Sequence, residues 1–222
     1  MRRVSHETWG AVLAVFYLGL MGNLLACVAA LPLVVLLMTT DPGTSWPWIA
    51  LAAPSAAPAI AALFRVFRDS RDGSPAVVRP YLRAWLLVWR RSMLLGVLVT
   101  AVLVVLIVDV RMLSDTPFSV IVVPVLLVLT VVASAAGLLA LVAVSEEPTA
   151  RVRDVVRAST LLAVRQWPFS IVSLVVLCVQ VALFANSPAL ALGLTAAPAL
   201  YVVWANSRHT LRPVLPAAEA SS

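Results

Sequence analysis

Lysine is absent from this chain: all sixteen basic residues are arginine. Ten acidic residues and two histidines, His6 and His209, accompany them. No cluster of histidine and acid has ligand spacing, so no metal or cofactor site is expected. A glycine-rich phosphate loop, an H-E-x-x-H and a Gly-x-Ser-x-Gly are missing as well. Without the phosphate loop the chain has no means of hydrolysing ATP, and only scattered serines and threonines offer a nucleophile. The expectation is a protein that is not an enzyme. Cysteine is nearly absent too: Cys27 and Cys178 lie inside apolar runs with no C-x-x-C, and read as buried free thiols acting as small hydrophobes.

Charge is also missing from the middle of every long apolar run. Ion-coupled carriers and proton pumps keep an ionisable group at that depth, so those classes are disfavoured. The polar residues that do fall there are few, and Asn23 and Gln180 are the largest. They read first as bridges between helices, with substrate contact as the alternative. Asp109 lies close to the end of its run, where it meets water or Arg111.

What the chain has in quantity is apolar length. Hydrophobic residues make up 62% of its 222 positions. A soluble fold of this size has too little interior to bury that much. Several uncharged runs reach the roughly 18 residues needed to cross about 30 Å of hydrocarbon as a helix. Alternating β-barrel patterning is absent, which leaves helices as the spanning structure. The expected fold is all-α, a polytopic transmembrane helical bundle. It forms a single domain over residues 1–215 with a disordered tail at 216–222. Six spans are expected, at about 9–38, 45–64, 92–110, 118–144, 166–185 and 188–206. The first is longer than required and should tilt or bend near Pro32. It is also too long for a secretory signal core. Leu24-Leu25-Ala26-Cys27 loosely resembles a lipoprotein cleavage box, but the apolar run continues to Met38.

The arginines orient this bundle. Fifteen of the sixteen sit in alternate gaps between runs, and only Arg111 falls in a gap of the other kind. Basic residues accumulate in short cytoplasmic loops, so both termini are expected in the cytoplasm of a bacterial cell, with the chain in the inner membrane. The net charge of +6 then reads as topology and contact with anionic lipid headgroups, and no nucleic-acid partner is expected. Trp46 and Trp48, at the start of the second run, suit the opposite interface.

Two segments stand out. Before span three, Val78 to Arg91 places Arg79, Arg83 and Arg90 within about 40° of one another on a helical wheel. Trp85 and Trp89 lie on the other side with Val78, Tyr81 and Val88. This reads as an amphipathic helix lying in the cytoplasmic interface, an anchor for span three or a docking surface for lipid or partner. A similar extension precedes span five. The two share a spacing: Arg79, Arg83, Ala84, Leu87 and Arg91 recur 74 residues later as Arg153, Arg157, Ala158, Leu161 and Arg165. In span two, Pro54 and Pro58 each remove a backbone donor and free a carbonyl amid small residues. The small residues favour close helix packing, and the carbonyls could instead coordinate a solute.

Asn23-Leu24-Leu25, Leu31-Pro32-Leu33 and the segment ending Pro58-Ala59-Ile60-Ala61-Ala62-Leu63-Phe64 before a basic loop carry a resemblance. Together with the basic, Trp-bearing run Tyr81 to Ser92, they resemble the YesL-like family of bacterial membrane proteins, a domain of unknown function. Family members pass almost directly from the Leu-Pro segment into a Gly-Pro-Ala-Thr-Ala-Ala stretch. Here about twenty residues intervene, and Ala53-Pro54-Ser55-Ala56-Ala57 stands in loosely for it. The resemblance implies a role accessory to carbohydrate import and carries no binding residues. Two functions are therefore expected in order: an accessory or scaffold protein, in a transporter complex or as a homo-oligomer, then a small-solute permease working through Pro54 and Pro58.

Overall fold

The computed structural model describes residues 6–69 and 77–211, with side chains from Phe16 onward. The tail 216–222, the arginines Arg2, Arg3, Arg71 and Arg212, and the side chain of His6 lie outside the described residues. Among the described residues every regular element is helical.

The first apolar run divides into α1 (His6–Ala29) and α2 (Leu31–Thr39). Their axes meet at 86°. Pro32 sits in the first turn of α2, where its ring clashes with the carbonyl four residues back and offers no N–H, so the helix breaks at Ala30. The bend falls where the proline predicts. The nine residues of α2 reach only about 13 Å and cannot cross hydrocarbon alone. Among the described residues five helices are long and apolar enough to span, or six if the bent pair is counted as one span.

Asp41 starts the next run, its Oδ1 accepting from the backbone N–H of Gly43 at 2.8 Å and of Thr44 at 3.1 Å. Helix α3 (Pro42–Ala52), a 3-10 turn at Ala53–Ser55 and α4 (Ala56–Asp69) follow as one interrupted span. Helix α4 is the centre of the bundle: Ala61, Ala62, Leu63 and Phe64 are completely buried, and it packs against α1, α5, α6 and α10.

The interfacial helix expected before span three does not form as a separate element. Val78–Leu113 is one continuous helix, α5, of 36 residues. It holds Pro80 only in its first turn and is otherwise rich in leucine and arginine, which favour helix, so nothing breaks it. At about 54 Å it exceeds the hydrocarbon by some 24 Å. Helix α6 (Ser119–Glu146) returns antiparallel to it, and α7 (Val152–Arg165) packs on α6 as a separate short helix. The two arginine-bearing segments of like spacing therefore stand in different settings, one inside a long helix and the other a helix alone. Helix α8 (Trp167–Asn186) leads to a last run, α9 (Pro188–Leu190), a π turn at Ala191–Thr195 and α10 (Ala196–Leu211).

The outside of the bundle is apolar. Val105, Ile121, Val128, Val175 and Val179 are all more than half exposed and point away from it. Large apolar surface of this kind needs a lipid solvent or a partner, and its girdle form fits lipid. Cys178 shares that outer surface and Cys27 is half-buried, so neither thiol is core as expected. Leu-rich helices tolerate outward thiols because lipid, like protein interior, accepts them.

Candidate functional site: an arginine-capped helix end and an outward arginine stripe

A helix ends with four carbonyls that lack intrahelical donors and with a partial negative charge. The end of α6 answers that need with arginines from two other elements. Arg65 Nη1 donates to the Ser145 carbonyl at 3.2 Å, and Arg68 Nη1 to the Glu146 carbonyl at 3.0 Å. Arg91 Nη1 donates to the carbonyls of Pro148 and, at 3.0 Å, Ala150, holding the turn that follows. Arg68 is also paired with Asp69 at 3.0 Å.

The side chain of Glu146 is 7% exposed and completes the cap. Its Oε1 accepts from Trp204 Nε1 at 3.2 Å and lies 3.7 Å from Arg208 Nε. The Arg208 guanidinium stands 5.5 Å over the Trp204 ring, and Phe67 packs edge-on to Tyr201 at 5.4 Å beside it. Helices α4, α5, α6 and α10 are thus joined at one end by charge-assisted bonds that are short, directional and strong. Truncating Arg91 to alanine is expected to cost about 1.5–3 kcal/mol, the worth of hydrogen bonds to a charged donor, read as a lower denaturation midpoint in detergent.

None of these capping arginines belongs to the stripe that the sequence singles out. Arg79, Arg83 and Arg90 are exposed and make no hydrogen bond or ion pair among the described residues. Leu86 shares their face at 70% exposed, and one turn on the same face continues as Leu94, 62% exposed, and Val97. The stripe therefore points outward from the bundle and runs into the lipid-facing surface of the same helix. Trp85 and Trp89 face inward instead, half-buried and in ring contact at 4.6 Å. The Trp85 Nε1 is buried without a partner. The rings thus pack against each other on the side of the helix away from the stripe.

Three polar residues at depth, Asn23, Gln180 and Thr195, converge on the π turn. Its widened backbone frees carbonyls, and side chains from two helices take them. Asn23 Nδ2 donates to the Gly193 carbonyl at 3.0 Å, and Gln180 Nε2 to the Ala191 carbonyl at 2.8 Å. Thr195 Oγ1 donates to Gln180 Oε1 at 3.0 Å. Asn23 and Gln180 therefore bridge α1 and α8 to the last run.

The proline break packs closely against α5 on one side. Ser55 Oγ donates to the Ala52 carbonyl at 2.7 Å, which removes one acceptor from any solute. Pro58 supplies no N–H to the Pro54 carbonyl, and that carbonyl lies against Gly96 of α5. A Cβ at Gly96 would stand 2.9 Å from Pro54 O and 2.7 Å from Ala57 Cβ. Only glycine allows the two backbones this close. Gly96, Arg65, Arg68, Arg208, Glu146 and Trp204 carry this arrangement and were not among the residues that sequence reasoning selected. The one available signal was the dipeptide Glu146-Glu147 closing a long apolar run opposite several arginines.

Residues 48–110 match the model of a family described as "Protein of unknown function, DUF624". The matched segment is similar to that family over 63 of the 222 residues. It takes in the last five residues of α3, the proline break, the central α4 and nearly all of α5, and it agrees with the family resemblance carried by Pro58–Phe64 and Tyr81–Ser92. The cap arginines Arg65, Arg68 and Arg91 and the stripe Arg79, Arg83 and Arg90 all fall within the matched segment; Glu146 and Trp204 fall beyond it. No curated protein and no solved structure matches the chain.

Proposed function

We propose that this membrane protein works by contact, as an accessory or scaffold subunit of a membrane assembly, with Arg79, Arg83, Leu86 and Arg90 as its docking face. The observation that carries the reading is the division among the arginines. Arg65, Arg68, Arg91 and Arg208 use their donors within the bundle, whereas Arg79, Arg83 and Arg90 are outward and pair with no group among the described residues. The planar fork of a guanidinium is pre-organised for bidentate pairing and suits the carboxylates of a partner. The arginine-rich end is the cytoplasmic end on the positive-inside rule, which puts the face at the inner surface of a bacterial inner membrane. The family resemblance makes carbohydrate importers the first partners to look for.

Replacing Arg79, Arg83 and Arg90 together by glutamine is expected to change stability by no more than about 0.5 kcal/mol per site, because the three are exposed and pair with no group among the described residues. The same variant is expected to lose a partner that co-purifies with the wild type from crosslinked membranes. A wild-type protein that copurifies with no recurrent partner contradicts the reading.

A further inference from the structure

At the end of the bundle remote from the cap, α2 and α3 lie beside the last turns of α5 with a groove of about 520 Å³ between them. We propose that this groove binds one anionic phospholipid, with an acyl chain between the helices and the phosphate on Arg111. The volume lies within the roughly 300–1,000 Å³ of small-ligand sites. Leu37 of α2, Trp46 and Ile49 of α3, and Leu103 and Ile107 of α5 form the walls. Arg111 is the single charged side chain lining the groove. A hydrated polar solute would find nothing there to replace its water, whereas an acyl chain is already in apolar surroundings and leaves none behind.

Three observations point to the headgroup. Arg111 is exposed and forms no ion pair with Asp109 or Asp115 among the described residues, so its charge is available. It is the only arginine among the described residues at this end of α5, and it lines the groove rather than standing apart from it. Trp46 and Trp48, 42% and 65% exposed in the first turns of α3, set the depth, because indole rings settle at the headgroup layer. A phosphate at that depth meets a guanidinium at the mouth. Inward, the groove adjoins a second apolar space of about 240 Å³, and the two share Ala53, Thr100 and Leu103. A chain entering past Trp46 therefore has room to continue alongside the proline break. The site is independent of the docking face, which lies at the other end of the same helix.

The test uses purified full-length protein, delipidated in detergent and offered phosphatidylglycerol or phosphatidylcholine of equal chain length, with native mass spectrometry counting the lipids retained. One phosphatidylglycerol per chain is expected, bound about tenfold more tightly than phosphatidylcholine, the scale of one charge-assisted hydrogen bond. Arg111→Gln is expected to bring phosphatidylglycerol down to the phosphatidylcholine level, and Arg111→Lys to keep most of the difference. Ala50→Phe, which fills the groove, is expected to abolish retention of both. Arg111→Gln alters an exposed side chain, so its result stands whether or not the groove-filling variant folds. Unchanged phosphatidylglycerol retention in Arg111→Gln overturns the proposal, as does displacement of the phospholipid by free oleate at equal concentration.

Discussion

Gly96→Leu is expected to abolish recovery of a monodisperse protein, and Gly96→Ala to cost about 1–3 kcal/mol, the usual range for overpacking a close contact. The reason is what stands opposite. The atoms nearest a new Cβ are the Pro54 carbonyl oxygen at 2.9 Å, the Pro54 Cα at 3.1 Å and the Ala57 Cβ at 2.7 Å. Two of these are backbone and the third is fixed to backbone, so no rotamer change relieves the clash. Shifting α5 outward would pull Leu95, fully buried, from its place against α4 and α6. Gly137 offers a graded comparison, since its nearest neighbours are the methyl groups of Val99 at 2.9 and 3.0 Å, which can yield by a rotamer change. Gly19 offers a null one, with nothing within 4 Å. The series Gly96→Ala, Gly137→Ala and Gly19→Ala should therefore fall in that order of lost thermal midpoint in detergent, with Gly19→Ala neutral or stabilising by up to about 1 kcal/mol. An equal response at all three positions would mean that the proline break does not hold α5 in place.

Trp204→Ala is expected to destabilise by about 3–5 kcal/mol, the range for emptying a buried aromatic site. The ring is completely buried, 6.2 Å from Phe67 and 5.6 Å from Tyr201, and its Nε1 donates to Glu146. Trp204→Phe keeps most of the volume and removes the donor, so it isolates the hydrogen bond at about 1–2 kcal/mol. Glu146→Gln keeps an acceptor but removes the charge facing Arg208. If the three groups act as one cap, combining Trp204→Phe with Glu146→Gln should cost less than the sum of the single changes, with a coupling of about 0.5–3 kcal/mol. Strict additivity would show that Trp204 acts by packing alone.

Proline and arginine were the legible residues, because each acts through a local rule. Pro32 stands in the first turn of α2, and the break at Ala30 is two residues away, whereas Pro47 and Pro124 lie inside continuous helices. Pro54 likewise marks the 3-10 turn. The outward face of Arg79, Arg83 and Arg90 follows from helical periodicity and needs no knowledge of neighbours. The size of the bend was not legible, since 86° depends on what α2 packs against. For the same reason six apolar runs resolved into five spanning helices and one bent pair.

The arginine-rich extension before span three runs without a break into the span for a simple reason. A change of composition at Ser92, from arginine-rich to apolar, marks where the solvent changes and not where the helix stops, and no breaker stands there. The cap was illegible in a deeper sense. Arg65 and Ser145 are 80 residues apart, and Arg91 and Ala150 are 59 apart. Nothing in the local pattern distinguishes Arg91, which holds a turn of another segment, from Arg90 beside it, which is exposed. Only the rotation of one residue along α5 separates a structural arginine from a free one. Gly96 was equally silent, since a glycine in an apolar run reads as any small residue until a second backbone is found against it.

The central claim is that the outward stripe of α5 is a contact face for another protein. A photo-crosslinking amino acid in place of Leu86 tests it most directly, because that position lies between Arg83 and Arg90 on the stripe, is 70% exposed, and leaves every arginine intact. Irradiated in native membranes, the protein is expected to give one recurrent protein adduct, lost when Arg79, Arg83 and Arg90 are changed to glutamine. The same crosslinker in place of Val128, outward on α6 and 62% exposed, is expected to give lipid adducts only. Lipid adducts alone from position 86 as well would contradict the claim and leave the stripe as an anchor in the headgroup layer.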